Sequence, residues 1–97
     1  MIPNFDWDLA KARENEQKHG VTFEEAATVF ADDDAVIYDD IGHSDREDRF
    51  IIIGVSARDR MLLTVYTIRV SEVVRIISSR AANRSEKREY EEKKRGV

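Results

Sequence analysis

Three closely spaced runs of β-branched and aromatic residues constrain this 97-residue chain most. Phe50 to Ser56, Met61 to Thr67 and Val73 to Ser79 are rich in Ile, Val, Leu and Tyr, which suit a pleated, half-buried surface. Ala57-Arg58-Asp59-Arg60 separates the first pair, and Ile68 to Glu72 the second. Connectors this short join antiparallel neighbours, because a parallel pair needs a long crossover. Ile51, Ile52 and Ile53 are consecutive, so their strand should be covered on both faces and lie centrally. Ala35 to Tyr38 is a further short strand candidate, and the polar stretch Asp39 to Asp48 reads as a loop.

The flanking segments carry helical signals instead. Phe5 to Trp7 forms an extended lead-in. A first helix is expected from about Asp8 to His19, capped by Asp6 or Asp8 and stopped by Gly20. Thr22-x-x-Glu25 reads as a capping box that opens a second helix to about Phe30, with Phe23, Ala26, Ala27 and Phe30 at helical spacing. Asn83-x-x-Glu86 reads as another box opening a last, mostly charged helix, with Tyr90 its one large apolar residue. The expected class is α+β, one domain over residues 1–97: an N-terminal helical hairpin packed on a three- to four-stranded antiparallel sheet, with a C-terminal helix.

Several function classes drop out. There is no cysteine, hence no disulfide framework, thiolate nucleophile or cysteine zinc site. The longest apolar run has the length of a strand, far below the roughly 20 residues that span a bilayer. No charged-then-apolar segment opens the chain, so cytoplasmic residence without membrane contact is expected. The net charge of −4 is unevenly spread. Residues 1–50 carry 5 basic and 14 acidic side chains, whereas residues 75–97 carry 8 basic and 4 acidic. Such a division suits two partners of opposite charge, or simply a well-solvated surface.

The candidate chemistry is histidine, carboxylate and arginine. His19 follows Lys18 at a helix end; it can move protons near neutrality, or it can merely meet the helix dipole. Lys11 and Asn15, four apart, share a helical face that Lys18 and His19 extend. His43 sits among Asp39, Asp40, Asp45, Glu47 and Asp48, without the spacing of a calcium loop or zinc helix, so no metal or other cofactor is expected. Glu47 and Arg49 share a face of an extended segment, as base and phosphate clamp or as a surface charge pair. Arg75 and Arg80 suit phosphate oxygens. Their odd separation puts them on opposite faces of a regular strand. Either the strand ends or bulges before Arg80, or the two do different work. Trp7 and Tyr90 could stack on bases, or anchor their polar segments to the sheet.

The run Trp7-Asp8-x-x-Lys11-x-x-x-Asn15-x-x-Lys18-His19-Gly20-Val21 is followed by Glu47-Asp48-Arg49, Arg75-Ile76-Ile77-Ser78-Ser79-Arg80 and Glu86-x-x-x-Tyr90. Together with Phe23-Glu24-Glu25-Ala26 and Val29-Phe30, these fragments resemble the BrnT family of bacterial type II toxins. The resemblance implies a RelE-like ribonuclease fold and RNA as substrate. It also implies a cognate BrnA-like antitoxin, a ribbon-helix-helix DNA-binding dimer through which alone operator DNA is met. It places catalysis on Lys18, His19, Glu47, Arg49, Arg75 and Arg80, with Lys11, Asn15 and Tyr90 against the substrate.

The reading is then a metal-independent endoribonuclease that inhibits growth. A base takes the proton of a ribose 2′-OH, which attacks the adjacent phosphate and leaves a 2′,3′-cyclic phosphate. His19 or Glu47 would be acid and base; Arg49, Arg75 and Lys18 would hold the phosphate. The competing reading is a catalytically inactive module that binds a partner protein through its charged helices.

Overall fold

The computed structural model describes residues 3–40 and 48–96. The chain runs β1 (Phe5–Asp6), α1 (Leu9–His19), α2 (Phe23–Thr28), a 3-10 turn (Val29–Ala31), β2 (Val36–Asp39), β3 (Arg49–Val55), β4 (Met61–Ile68), a second 3-10 turn (Val70–Glu72), β5 (Val74–Ala81) and α3 (Arg84–Lys94).

Local chemistry sets the helix ends. Asp8 caps α1 by accepting the Lys11 amide, and Gly20 closes it at φ 69°. Thr22 caps α2 by accepting the Glu25 amide. Only that half of the expected box forms, because the Glu25 side chain turns inward to Ser56 and Arg60. At α3 both halves form: Asn83 accepts the Glu86 amide and Glu86 accepts the Asn83 amide.

The sheet departs from the expected RelE-like antiparallel one of three to four strands. It has five strands in the order β1-β5-β4-β3-β2, and β1 runs parallel to β5. The two-residue β1 pairs Phe5 with Val74 and Asp6 with Arg75. It carries no length or alternation signal, and its partner is far away in sequence, so periodicity does not find it. The isoleucines of β3 are covered on both faces, Ile52 and Ile53 each being 2% exposed. β3 lies inside the sheet between β4 and β2, and β4 is the middle strand because β1 extends the other side.

Alternation divides the sheet into two faces. One carries Ile52, Leu62, Tyr66, Val74 and Ile76 beneath α1 and α2, whose Phe23 and Ala26 complete the core with Val21 and Val29. Phe30 seals its rim edge-on against Phe5 and Tyr66, at centroid distances of 5.2 and 4.9 Å. The other face carries Val36, Ile53 and Leu63 beneath Tyr90 of α3. Tyr90 is the one buried residue of the strongly polar α3.

A bulge in β5 decides which face its arginines take. Ser78 faces Val65 and Ile76 faces Tyr66, so Ile77 is the extra residue. Beyond it the alternation resumes one position out of step. Arg75 opposite Thr67 and Arg80 opposite Leu63 thus share the α3 face.

Candidate active site

On the α3 face the register aligns Arg49, Thr67 and Arg75 in one row across β3, β4 and β5. Two strand spacings separate the arginine backbones by about 10 Å, which lets both side chains close on one phosphate. Ile51, Val65 and Ser78 form the next row, all half-buried, before the floor passes under Tyr90. Arg49 is half-buried and makes no side-chain hydrogen bond or ion pair among the described residues. Arg75 meets Asp6 at 3.2 Å, with side chains 31% and 46% exposed. Such a pair is weak and exchanges readily for another anion.

Asp6 stands opposite Arg75 in the β1 register, and Asp8, the N-cap of α1, lies close enough to feel the Arg75 and Lys11 charges. The Lys11 amide holds the Asp8 carboxyl below its usual range, with the Arg75 charge adding to the effect. Lys11 is exposed. Glu47 and His43 lie outside the described residues.

Lys18 and His19 are placed elsewhere. Both are exposed, and neither makes a side-chain hydrogen bond or ion pair among the described residues. The carbonyl of the adjacent Gly20 accepts a 3.1 Å bond from Arg60, in the β3–β4 turn. Thr67 lies seven residues further along the chain, roughly 23 Å of strand away. In addition α1 covers the opposite face. Lys18 and His19 therefore do not join Arg49 and Arg75 in one site.

The other expected residues are fastenings. Asn15, 6% exposed, donates to the Val21 and Ser79 carbonyls at 3.0 and 2.8 Å and accepts the Ser79 amide at 3.0 Å. It caps the stretch of β5 edge that the short β1 leaves open. Arg80 forks onto both Glu86 oxygens at 2.8 Å, and the pair raises the guanidinium pKa and lowers that of the carboxyl. Tyr90 is 2% exposed and donates to Asp32 at 2.9 Å. Burial first, then that carboxylate, push its hydroxyl up to about 12. Neither Asn15 nor Tyr90 presents a surface to an RNA in this structure. Trp7 packs edge-on to Phe23, as an anchor.

Two residues of the arginine end escape sequence reasoning. Asp6 is marked only by its nonlocal pairing. Thr67 is marked by a hydroxyl in an otherwise apolar strand, a weak signal.

A half-open α+β sheet with an arginine row fits a small protein that handles phosphodiesters. The fold matches the Brucella abortus ribonuclease toxin BrnT, whose crystal structure was determined at 1.1 Å, with a TM-score of 0.64 and 23% identity over 84% of this chain and 99% of that one. Among curated proteins none matches the sequence. Residues 7–86 match the model of the BrnT family, described as the ribonuclease toxin of a type II toxin–antitoxin system, and the chain belongs to that family. Membership implies a cognate antitoxin. No helix among the described residues is long and apolar enough to cross a membrane.

Proposed function

We propose that this protein is an endoribonuclease toxin whose phosphate site is formed by Arg49 and Arg75, aligned across Thr67. The carrying observation is that register alignment, on a face left half-open by α3. In an acidic chain, two arginines at one end concentrate positive potential where a phosphodiester must sit. Arg49 needs no partner displaced, and Arg75 gives up only a solvent-screened carboxylate. The ribose 2′-OH loses its proton to a base and attacks the adjacent phosphorus. The arginines bind the added charge of the transition state. The P–O5′ bond breaks, the departing oxygen takes up a proton, and a 2′,3′-cyclic phosphate remains. The base is assigned to Glu47 by its sequence position two residues before Arg49. Lys11, at the same end, steers the neighbouring phosphate.

This reading moves catalysis away from Lys18 and His19. They face solvent on the helical side, where they suit contact with a partner. The arginine charge makes a metal unnecessary for the step. The protein acts in the cytoplasm, held in check by a BrnA-like antitoxin that also carries the DNA-binding function.

The test is cleavage of a single-stranded RNA oligonucleotide by purified full-length protein in EDTA. Arg75→Ala and Arg49→Ala should each lower kcat/KM by about 100-fold or more, the scale for losing one transition-state donor. His19→Ala should stay within about threefold, under 1 kcal/mol of barrier. Products should end in cyclic phosphate. Loss of cleavage in His19→Ala with full cleavage in Arg75→Ala would refute the site. Cleavage abolished by EDTA would refute the metal-free mechanism. Intact RNA with the folded wild-type protein would favour the inactive partner-binding module.

A further inference from the structure

Among the described residues, Thr67 is the fully buried hydroxyl of the arginine face, at 2% exposure. The buried hydroxyls of Thr64 and Ser79 lie on the other face and bond each other at 2.8 Å. Thr67 has no such partner in its row. Its Oγ1 instead donates to the Asp48 carbonyl at 2.6 Å. Asp48 immediately precedes β3, and Arg49 opposite Thr67 is the last rung of the β3–β4 ladder. End rungs open most easily. On the other flank the Asp40 amide donates to the Arg49 carbonyl at 2.8 Å. The Arg49 backbone is thus tied on both sides, once by a side chain.

We infer that Thr67 is a positioning residue: by holding the Asp48 carbonyl it sets where the chain enters β3, and so sets Arg49 against Arg75. The inference rests on the arginine-row reading of the site. Valine would fill the same space and suits a strand at least as well. The hydroxyl is the part that shape and propensity do not require, and it is spent on the backbone next to Arg49. One tie at a ladder end adds little to global stability. A shift of the two guanidinium groups relative to one phosphate is costly to the reaction.

The test compares Thr67→Val, Thr67→Ala and Thr67→Ser in the full chain. The readouts are kcat and KM on single-stranded RNA, thermal midpoint, and hydrogen exchange of the Asp40 amide. Thr67→Val should lower kcat by about 10-fold or more, toward the roughly 100-fold that a misplacement of about 1 Å can cost, with KM changed less than about threefold. The midpoint should move by less than about 5 °C, and Asp40 exchange should quicken about tenfold. Thr67→Ser should restore all of these. Should Thr67→Val not fold, Thr67→Ala is judged by the same measures. Unchanged Asp40 exchange in the hydroxyl-free variant overturns the positioning proposal by itself. So does an unchanged kcat, a loss that serine leaves unrepaired, or a loss that tracks the unfolded fraction. Wild-type protein that cleaves no RNA overturns instead the site reading on which the proposal stands.

Discussion

Glu25→Ala should cost this protein a large share of its stability. The Glu25 side chain is 3% exposed and its carboxylate sits between α2 and the β3–β4 turn. Oε2 accepts from Ser56 Oγ at 2.7 Å and from Arg60 Nε at 2.9 Å, while Oε1 takes a second Arg60 bond. Arg60 also holds the Gly20 carbonyl at 3.1 Å. Removing the carboxylate therefore unties the α1–α2 corner from the turn. Taking one member out of a buried pair costs about 3–5 kcal/mol. Arg60 is 39% exposed and recovers water, which lowers the expectation to about 2–3 kcal/mol. For a chain of this size that corresponds to a fall in Tm of roughly 10–20 °C. Urea titration followed by Trp7 fluorescence measures it, since Trp7 packs on Phe23 of the same helix. The pH dependence is an independent check. The Arg60 bonds, then Ser56, hold the Glu25 carboxyl below its usual 4.5. Its contribution is thus complete above pH 4.5 and is lost as pH falls through the folded value. Wild type and Glu25→Gln should converge in stability on acidification. A loss below about 0.5 kcal/mol for Glu25→Ala, the scale of an ordinary surface change, would refute the reasoning.

Two further outcomes are expected. Gly54→Ala should destabilise by about 1–3 kcal/mol in urea titration through overpacking. Its Cβ would lie 2.9 Å from Val29 Cγ1 and 3.0 Å from Ala35 Cβ. Tyr38 and Tyr90 are both pushed up to about 12, Tyr38 mainly by its hydrogen bond to Glu89 and Tyr90 mainly by burial. Their contribution is complete below the usual value of 10 and is lost as pH rises toward 12, so unfolding should steepen across that interval. Tyr90→Phe should remove its part of that dependence, as read by near-neutral and alkaline melts.

The proposed site would also let an acidic protein meet RNA. Positive charge need not dominate the surface if two arginines sit in register at an open end of the sheet. Arg80, which the sequence motif ranks beside Arg75, is instead closed on Glu86 and fastens α3. A motif residue can serve the family by holding the fold, and the same holds for Asn15 and Tyr90.

What the sequence determined by itself is the identity of most elements and their ends. Period, cap and turn chemistry are local, so Gly20, Thr22 and the Asn83–Glu86 box could be read directly, the first cap could be narrowed to Asp6 or Asp8, and four of the strands could be placed. The family motifs were legible for the same reason. Tertiary structure alone decided the rest, because each remaining feature depends on residues far apart in the chain. The parallel β1 exists only against β5. The bulge at Ile77 answers the parity problem of Arg75 and Arg80 by placing both on one face. The direction of α1 carries His19 to the turn end of the sheet, away from Arg75, although both belong to one sequence pattern. The inward turn of Glu25 is set by Arg60, 35 residues away. Spacing along the chain specifies which face of its own element a residue occupies, but which faces meet is settled only when the elements pack.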